Sequence, residues 1–491
     1  MSRRNILFFF TDQQRLDLLG AYGNELIRTP HLDALAARGT RFDQAYTCTA
    51  ICTPSRASLL TGMWPHNHHV LANLEASLGY PRKVGAEPFS VTLRDAGYNV
   101  GLEGKYHASD IPCLADHGFD GDLYNSWNEP VEHAGYLSYL QDRGLPAFEP
   151  VELIRGVFPN GRPGKSIGGI YEGPVEGTFS YYLAEKAIAR LRDYARDYRD
   201  TGKPFHFSLH FFGPHMPYYL PRAYAEMYDP AKISLPGAFR ETFERKPAVQ
   251  FQYHRHWMTD HFTDDQWRKI IAMYWGFMTL IDEQVGRVLA EVEKLGLAGD
   301  TAVFFSADHG SFEGNHRLND KGPAAYDDIY RIPMLGHVPW LPQQPKQVSD
   351  FVSLLDLTPT FLEIAGVPIP PRYDGQSMLP LLEGRAPENP RREIFFEFHG
   401  HHFPYPQRII RTSSHKLVVN PSDTCELYDL EQDPNELVNR YGAPEYADVQ
   451  KELFTRLYRH VQTSGDRLGY WMDSSYVMDT AESQYDEKSL F

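Results

Sequence analysis

Ile6-Leu7-Phe8-Phe9-Phe10 is an apolar run of strand length that stops on Thr11-Asp12-Gln13, and its reading decides the fold. Five apolar residues without polar alternation belong to a strand covered on both faces. After a loop comes Pro30-His31-Leu32-Asp33-Ala34-Leu35-Ala36-Ala37-Arg38, a helical segment with Pro at its first position and Gly39 as its stop. The pattern recurs: strands are expected at 98–102, 205–212 and 301–306, and long helices at 180–198 and 264–294. This predicts an α/β fold in which a large, mostly parallel sheet is flanked by helices.

Residues 125–177 and 229–261 are rich in Gly, Pro, His and aromatics without periodicity, and read as long loops over a site or an interface. Arg385-Ala386-Pro387-Glu388-Asn389-Pro390 reads as a linker. Beyond it, Arg408-Ile409-Ile410-Arg411, Lys416-Leu417-Val418-Val419 and a helix near 449–462 predict a small α+β domain with a mixed sheet. The expected organisation is a large α/β domain over 1–388, a C-terminal sheet-and-helix domain over 389–466 and a tail over 467–491. The tail, with Tyr470, Trp471 and Tyr476, is expected to wrap over this subunit or over a neighbour in a homo-oligomer.

The chain of 491 residues carries 48 Lys and Arg against 64 Asp and Glu, a net charge of −16. That balance argues against nucleic acid or an anionic membrane as partner, yet permits a local anion pocket. The apolar run at Ile6 is too short for a signal peptide, and no stretch reaches the roughly 20 apolar residues of a membrane span, so a soluble, cytoplasmic protein is expected. Four cysteines, Cys48, Cys52, Cys113 and Cys425, have neither zinc-ribbon spacing nor the density of a disulfide framework.

Several apolar runs hand over directly to polar clusters: the first to Asp12-Gln13, another to Gly104-Lys105-Tyr106-His107, a third to Gly213-Pro214-His215, a fourth to Asp308-His309. In a parallel sheet the loops after the carboxyl ends of strands line one crevice, so these residues can converge. Asp12 and Asp308 would offer hard oxygen ligands to a divalent cation, Gln13 a carbonyl oxygen and His309 an imidazole. Singly, an Asp after a strand is more often a helix cap, and a lone His structural. His107 and His215 suit proton transfer near neutral pH, and Lys105 and Lys321, the latter in Asn319-Asp320-Lys321-Gly322, suit an anion. His66, His68 and His69 read as turn packing, since no matching carboxylate is evident.

Cys52 opens Cys52-Thr53-Pro54-Ser55-Arg56-Ala57-Ser58-Leu59-Leu60, where Thr53 reads as the helix cap and Pro54 as the first helical residue. A helix amino end and Arg56 favour an anion or thiolate there; an inert buried Cys is the alternative. Arg56 follows too closely for the phosphate loop of a tyrosine-phosphatase-like enzyme. The run through Gly62 resembles the Cys-x-Pro-x-Arg hallmark of the formylglycine-dependent sulfatases of the alkaline phosphatase superfamily. The likeness extends through Asp12, Thr29-Pro30-His31-Leu32, Gly104-Lys105-Tyr106-His107, Gly213-Pro214-His215, Ala307-Asp308-His309-Gly310, Lys321-Gly322 and Glu426-Leu427-Tyr428-Asp429-Leu430.

That resemblance implies an alkaline phosphatase-like fold, hydrolysis of sulfate esters, and oxidation of Cys52 to formylglycine by a formylglycine-generating enzyme. It implies that Asp12, Gln13, Asp308, His309 and position 52 hold one divalent metal, with calcium the first choice and manganese the alternative. Arg56 and Lys105 would hold the nucleophile, His107 would take the proton of its second hydroxyl, and His215 and Lys321 would bind the sulfate. His215 would also serve as proton donor to the departing alcohol. Gln13 and His309 depart from the commoner Asp and Asn, which keeps a phosphonate monoester or phosphodiester hydrolase open as an alternative. A catalytically silent binding protein, with Cys52 left as a thiol, is the second.

Overall fold

The computed structural model describes residues 4–469, 471 and 472. Ten strands build its larger part: β1 (Asn5–Thr11), β2 (Thr40–Tyr46), β3 (Asn99–Gly104), β4 (Pro150–Val157), β5 (Pro163–Tyr171), β6 (Phe205–His210), β7 (Tyr218–Pro221), β8 (Thr301–Ala307), β9 (Met334–His337) and β10 (Gln347–Ser353). Seven form one sheet in the order β10-β2-β9-β8-β1-β6-β3. β1 pairs in parallel with β6 and β8, β6 with β3, and β2 with β10; β9 runs antiparallel to β2 and β8.

Side-chain alternation in the opening run explains why β1 is central. Leu7 and Phe9 enter the core beneath the helices Phe179–Thr201 and Asp264–Lys294, while Ile6, Phe8 and Phe10 enter the core on the opposite face. Every residue of β1 is buried. Helix Asp264–Lys294 starts with a Thr263/Gln266 capping box, and in its middle Asp282 accepts hydrogen bonds from the backbone N–H of His31 and Leu32. The first turn of helix Pro30–Arg38 is therefore capped by a carboxylate remote in sequence.

Two stretches read as loops are partly regular. Residues 125–177 hold the helix Ala134–Asp142 and the antiparallel pair β4/β5, and β5 adds β7 in parallel to make a three-stranded sheet; residues 229–261 hold the helix Ala248–His256. β4 shows little alternation because half of its residues are exposed and only Gly156 is buried, and its pairing with β5 shifts register three times.

The C-terminal sheet, β11 (Glu393–Gly400), β12 (Pro404–Thr412), β13 (His415–Val419) and β14 (Glu426–Asp429), is antiparallel throughout, where a mixed sheet was expected. Successive strands joined by short turns can pair only this way. Helix Ala447–Thr463 covers one face through Leu453, Leu457 and Val461, and the other face packs on Tyr46, Ile51 and Tyr330 of the larger part. Of the expected tail, residues 470 and 473–491 lie outside the described residues; Leu468, Trp471 and Met472 pack against this subunit's own C-terminal helix and sheet. No helix among the described residues is long and apolar enough to cross a membrane.

Candidate active site

Four adjacent strands, β8-β1-β6-β3, deliver the clusters that end them to one crevice. Thr11 pairs with Ala307, so Asp12 and Asp308 leave the sheet side by side; Phe10 and Gly104 both align with His210, which brings Lys105 alongside. Backbone bonds extend the ladders one step past the strands: Asp12 N–H to Gly213 O, Asp308 N–H to Thr11 O and Lys105 N–H to His210 O. Gly104 has φ +101°, and a Cβ there would lie 1.9 Å from His210 O, so glycine is required. Gln13 (φ 61°) and His107 (φ 41°) are non-glycine residues in left-handed backbone, a strain that surrounding structure sustains at functional sites.

Cys52 sits at the first position of helix Cys52–Thr61, two residues nearer the amino end than Thr53 and Pro54 suggest, and Ile51 occupies the cap. Thr53 does not cap; its N–H bonds Asn73 Oδ1, and its Oγ1 lies 3.2 Å from His107 Nε2. Cys52 Sγ lies 3.2 Å from His309 Nε2 and 3.9 Å from Asp12 Oδ1. One ligand atom each from Asp12, Cys52, Asp308 and His309 falls within 4.8 Å of every other, and all four residues are buried.

This donor set fits a divalent cation. Two carboxylates supply hard oxygens, and His309 Nδ1 faces Gly310 O at 2.8 Å, which puts the ring proton there and leaves the Nε2 lone pair toward Cys52. Burial also disfavours a protonated His309, lowering its pKa, as a ligand requires. Gln13 Nε2 donates to Ser311 and its Oε1 accepts from Lys321, with a second lone pair to spare.

Cations frame the carboxylates. Arg56 donates from Nε to Asp308 Oδ2 (2.9 Å) and from Nη2 to Asp12 Oδ2 (3.0 Å), while Nη1 reaches Lys105 O. Lys105 Nζ lies 2.6 Å from Asp12 Oδ2. Burial opposes ionisation of Asp12, but the Lys105 ammonium and the Arg56 guanidinium in contact with it outweigh that penalty and hold the carboxyl well below the usual range. Lys321 Nζ contacts Gln13 Oε1 (2.9 Å), His215 Nε2 (2.7 Å) and Asp320 Oδ1 (3.1 Å). Arg56, Lys105 and Lys321 thus balance Asp12, Asp308 and Asp320, so a bound divalent cation would leave the crevice positive and attractive to anions although the chain is acidic overall.

His215 is buried, and desolvation and Lys321 keep it neutral. Its Nδ1 proton goes to Met216 O, and Nε2 accepts from Lys321. The transferable proton of this pair therefore resides on Lys321 rather than on His215 Nε2.

Three participants carry no strand-end signal. Glu75 Oε1 lies 2.8 Å from His107 Nε2, and despite partial burial the imidazole pulls its pKa down to about 2. Asn73 and Ser311 hold Thr53 and Gln13. A carboxylate also answers the histidine cluster after Trp64: Glu397, on β11, lies 2.6 Å from His66 Nδ1, and a sequence separation of 331 residues hid it. Arg408 reaches Asp466 beside that pair, making a salt-bridge network that ties the helical turn at His66 to the C-terminal sheet. His68 instead bonds Ser58 within the turn.

A cavity lies over Lys321 and His215, lined among others by Trp127, Tyr219, Trp257, His401 and His402. Tyr218 is core, and His254 bonds Arg317 O.

A family model described as Sulfatase matches residues 4–367, and one described as N-sulphoglucosamine sulphohydrolase, C-terminal, matches residues 314–463. The uncharacterized sulfatase YidJ of Escherichia coli (strain K12) is 30% identical over 464 residues, spanning 93% of this chain and 87% of that protein. The N-acetylglucosamine-6-O-sulfatase of Bacteroides thetaiotaomicron is 27% identical over 505 residues, spanning 93% and 86%. The crystal structure of the phosphonate monoester hydrolase of Agrobacterium radiobacter superposes with a TM-score of 0.79 at 25% identity, covering 94% of this chain and 96% of that one.

Proposed function

This chain belongs to the sulfatase family and is a sulfuric ester hydrolase, and we propose that it cleaves its ester with a formylglycine made from Cys52 and one divalent cation. The observation that supports this most is the position of Cys52, at a helix amino end, beside His309 and Asp12 and within a ring of buried cations. A formylglycine-generating enzyme is the partner for maturation. Asp12, Gln13, Asp308, His309 and the residue at position 52 would hold the cation, with calcium the first choice and manganese the alternative. When bound, the cation supplies Lewis acidity and a template for sulfate oxygens.

Arg56 and Lys105 orient position 52 through the Asp12 and Asp308 carboxylates they grip. Lys321 and His215 bind the sulfate group. One hydroxyl of the hydrated aldehyde gives its proton to the Asp12 carboxylate beside position 52, its oxygen bonds to sulfur as the ester S–O bond breaks, and the leaving oxygen takes a proton from the Lys321–His215 pair. His107, steadied by Glu75, accepts the proton of the second hydroxyl; the C=O bond re-forms and the bond to sulfate breaks. Water then rehydrates the aldehyde.

A second reading, hydrolysis of phosphonate monoesters or phosphodiesters at the same site, is favoured by Gln13 and His309 and by the likeness to the Agrobacterium enzyme. Comparing kcat/KM for 4-nitrophenyl sulfate and 4-nitrophenyl phenylphosphonate decides between them, using protein co-expressed with a formylglycine-generating enzyme. The larger value is expected for the sulfate; a much larger value for the phosphonate overturns the assignment.

A further inference from the structure

The cavity over Lys321 and His215 has a volume of about 470 Å³ and is lined by Trp127, Tyr219 and Trp257, with Lys165 and His402 exposed at its rim. Its size lies within the range of small-molecule sites, and aromatic walls favour a ring. Trp127 is 45% exposed, an apolar surface that a leaving group would cover.

Charge distinguishes which ring. The ionisable lining groups Glu75 and Asp320 are already engaged, the first by His107 at 2.8 Å and the second by Lys321 at 3.1 Å. Lys165 has no carboxylate in ion-pair reach among the described residues. Its Nζ is instead held 2.5 Å from His256 Nε2 and 4.6 Å from the centre of the Trp257 ring. His256 stacks on His402 at 4.4 Å, and desolvation, with Lys165 next, pushes its pKa down to about 4, so it accepts the lysine's hydrogen bond as a neutral ring. Partial burial lowers the Lys165 pKa and Asp320, beyond ion-pair reach, partly opposes that shift, so the ammonium is held in place by uncharged neighbours rather than by a salt bridge. Beside it, Ser166 Oγ and Trp257 Nε1 have no hydrogen-bond partner within the protein among the described residues.

We propose that this cavity selects a leaving group that is a ring carrying a second anionic group, with the ring against the tryptophans and the anion on Lys165. The inference deepens the assignment of the site as an ester hydrolase and rests on it. A carboxylate and a second sulfate share the required chemistry.

The test compares kcat/KM for 3- and 4-carboxyphenyl sulfate with the neutral carboxamide isosteres, and for benzene-1,3-disulfate with phenyl sulfate, in the wild-type enzyme, Lys165→Gln and Lys165→Arg. The wild type should favour at least one anionic member about 10-fold or more, the size of one charge-assisted hydrogen bond. Whether the carboxylates or the disulfate show the larger ratio identifies the anion. Lys165→Gln should bring that ratio close to one and Lys165→Arg should largely keep it. A wild-type ratio near one for every pair, or a ratio that Lys165→Gln leaves unchanged, overturns the proposal. Calorimetric binding of 3- and 4-hydroxybenzoate against the hydroxybenzamides reads the cavity independently of turnover. A wild type that hydrolyses no sulfate yet binds the carboxylates through Lys165 fails the ester assignment alone; one that hydrolyses sulfates without discrimination fails this inference alone.

Discussion

Replacing Lys321 with methionine removes one cation that serves two separable ends. Its Nζ bridges Gln13 Oε1 (2.9 Å), His215 Nε2 (2.7 Å) and Asp320 Oδ1 (3.1 Å), and Asp320 is only 4% exposed. Without Lys321 the Asp320 carboxylate is buried beside no cation in contact, a situation that costs roughly 3–5 kcal/mol when one partner of a buried pair is deleted. In the native protein burial raises the Asp320 pKa, but Lys321 outweighs it and the net shift is downward. In the variant burial acts without that counterweight, so the folded pKa rises above its unfolded value and the stability deficit shrinks as pH falls. Activity should fall for a different reason: losing one charged donor to the transferring group costs about 10²–10³ in kcat/KM. Urea unfolding at pH 5.5 and 8, together with turnover of 4-nitrophenyl sulfate, measures both effects. Asp320→Asn combined with Lys321→Met removes the stranded charge and should restore most of the stability but little of the activity. Recovery of activity along with stability in the double variant, or a loss below about 10-fold in the single variant, would refute a role for Lys321 at the sulfate.

Chelation followed by dialysis should lower the melting temperature and abolish turnover, because Asp12 and Asp308 converge with His309 on Cys52; readdition of calcium or manganese in parallel ranks the two. Glu397 raises the His66 pKa to about 9 against a burial penalty acting the other way. Folded exceeds unfolded here, so this contribution, on the order of 3 kcal/mol, is fully present below about pH 6.5 and is lost as pH rises through 9. Urea midpoints across that window should decline in the wild type and decline less in His66→Gln. Glu75→Gln weakens the hold on His107 without touching the sulfate ligands, so kcat should drop about 10-fold with KM nearly constant; a rise in KM alone would place Glu75 in substrate binding instead.

Where apolar residues follow a period of two or 3.6, sequence and structure agree closely. Helix 264–294 was legible end to end because its capping box and apolar stripe are both local. The strand-end clusters converge because β8, β1, β6 and β3 are neighbours, a consequence of parallel topology that apolar runs already imply. What escaped depends on contacts between segments distant in sequence. Glu397 reaches His66 across 331 residues, and Asp282 caps a helix 250 residues away. Thr53 looked like a cap, but His107 and Asn73 claim it and shift the helix start onto Cys52. The β4/β5 pair was hidden by exposed side chains and irregular register.

Peptide mass spectrometry at position 52 tests whether Cys52 is the source of the nucleophile. Protein made with and without a formylglycine-generating enzyme is digested, the modified fraction of the peptide containing Cys52 is quantified, and the sulfatase activity of the same samples is measured. Conversion of the thiol to an aldehyde is expected, with activity that rises in proportion to the converted fraction. Full activity with Cys52 present only as a thiol would contradict it.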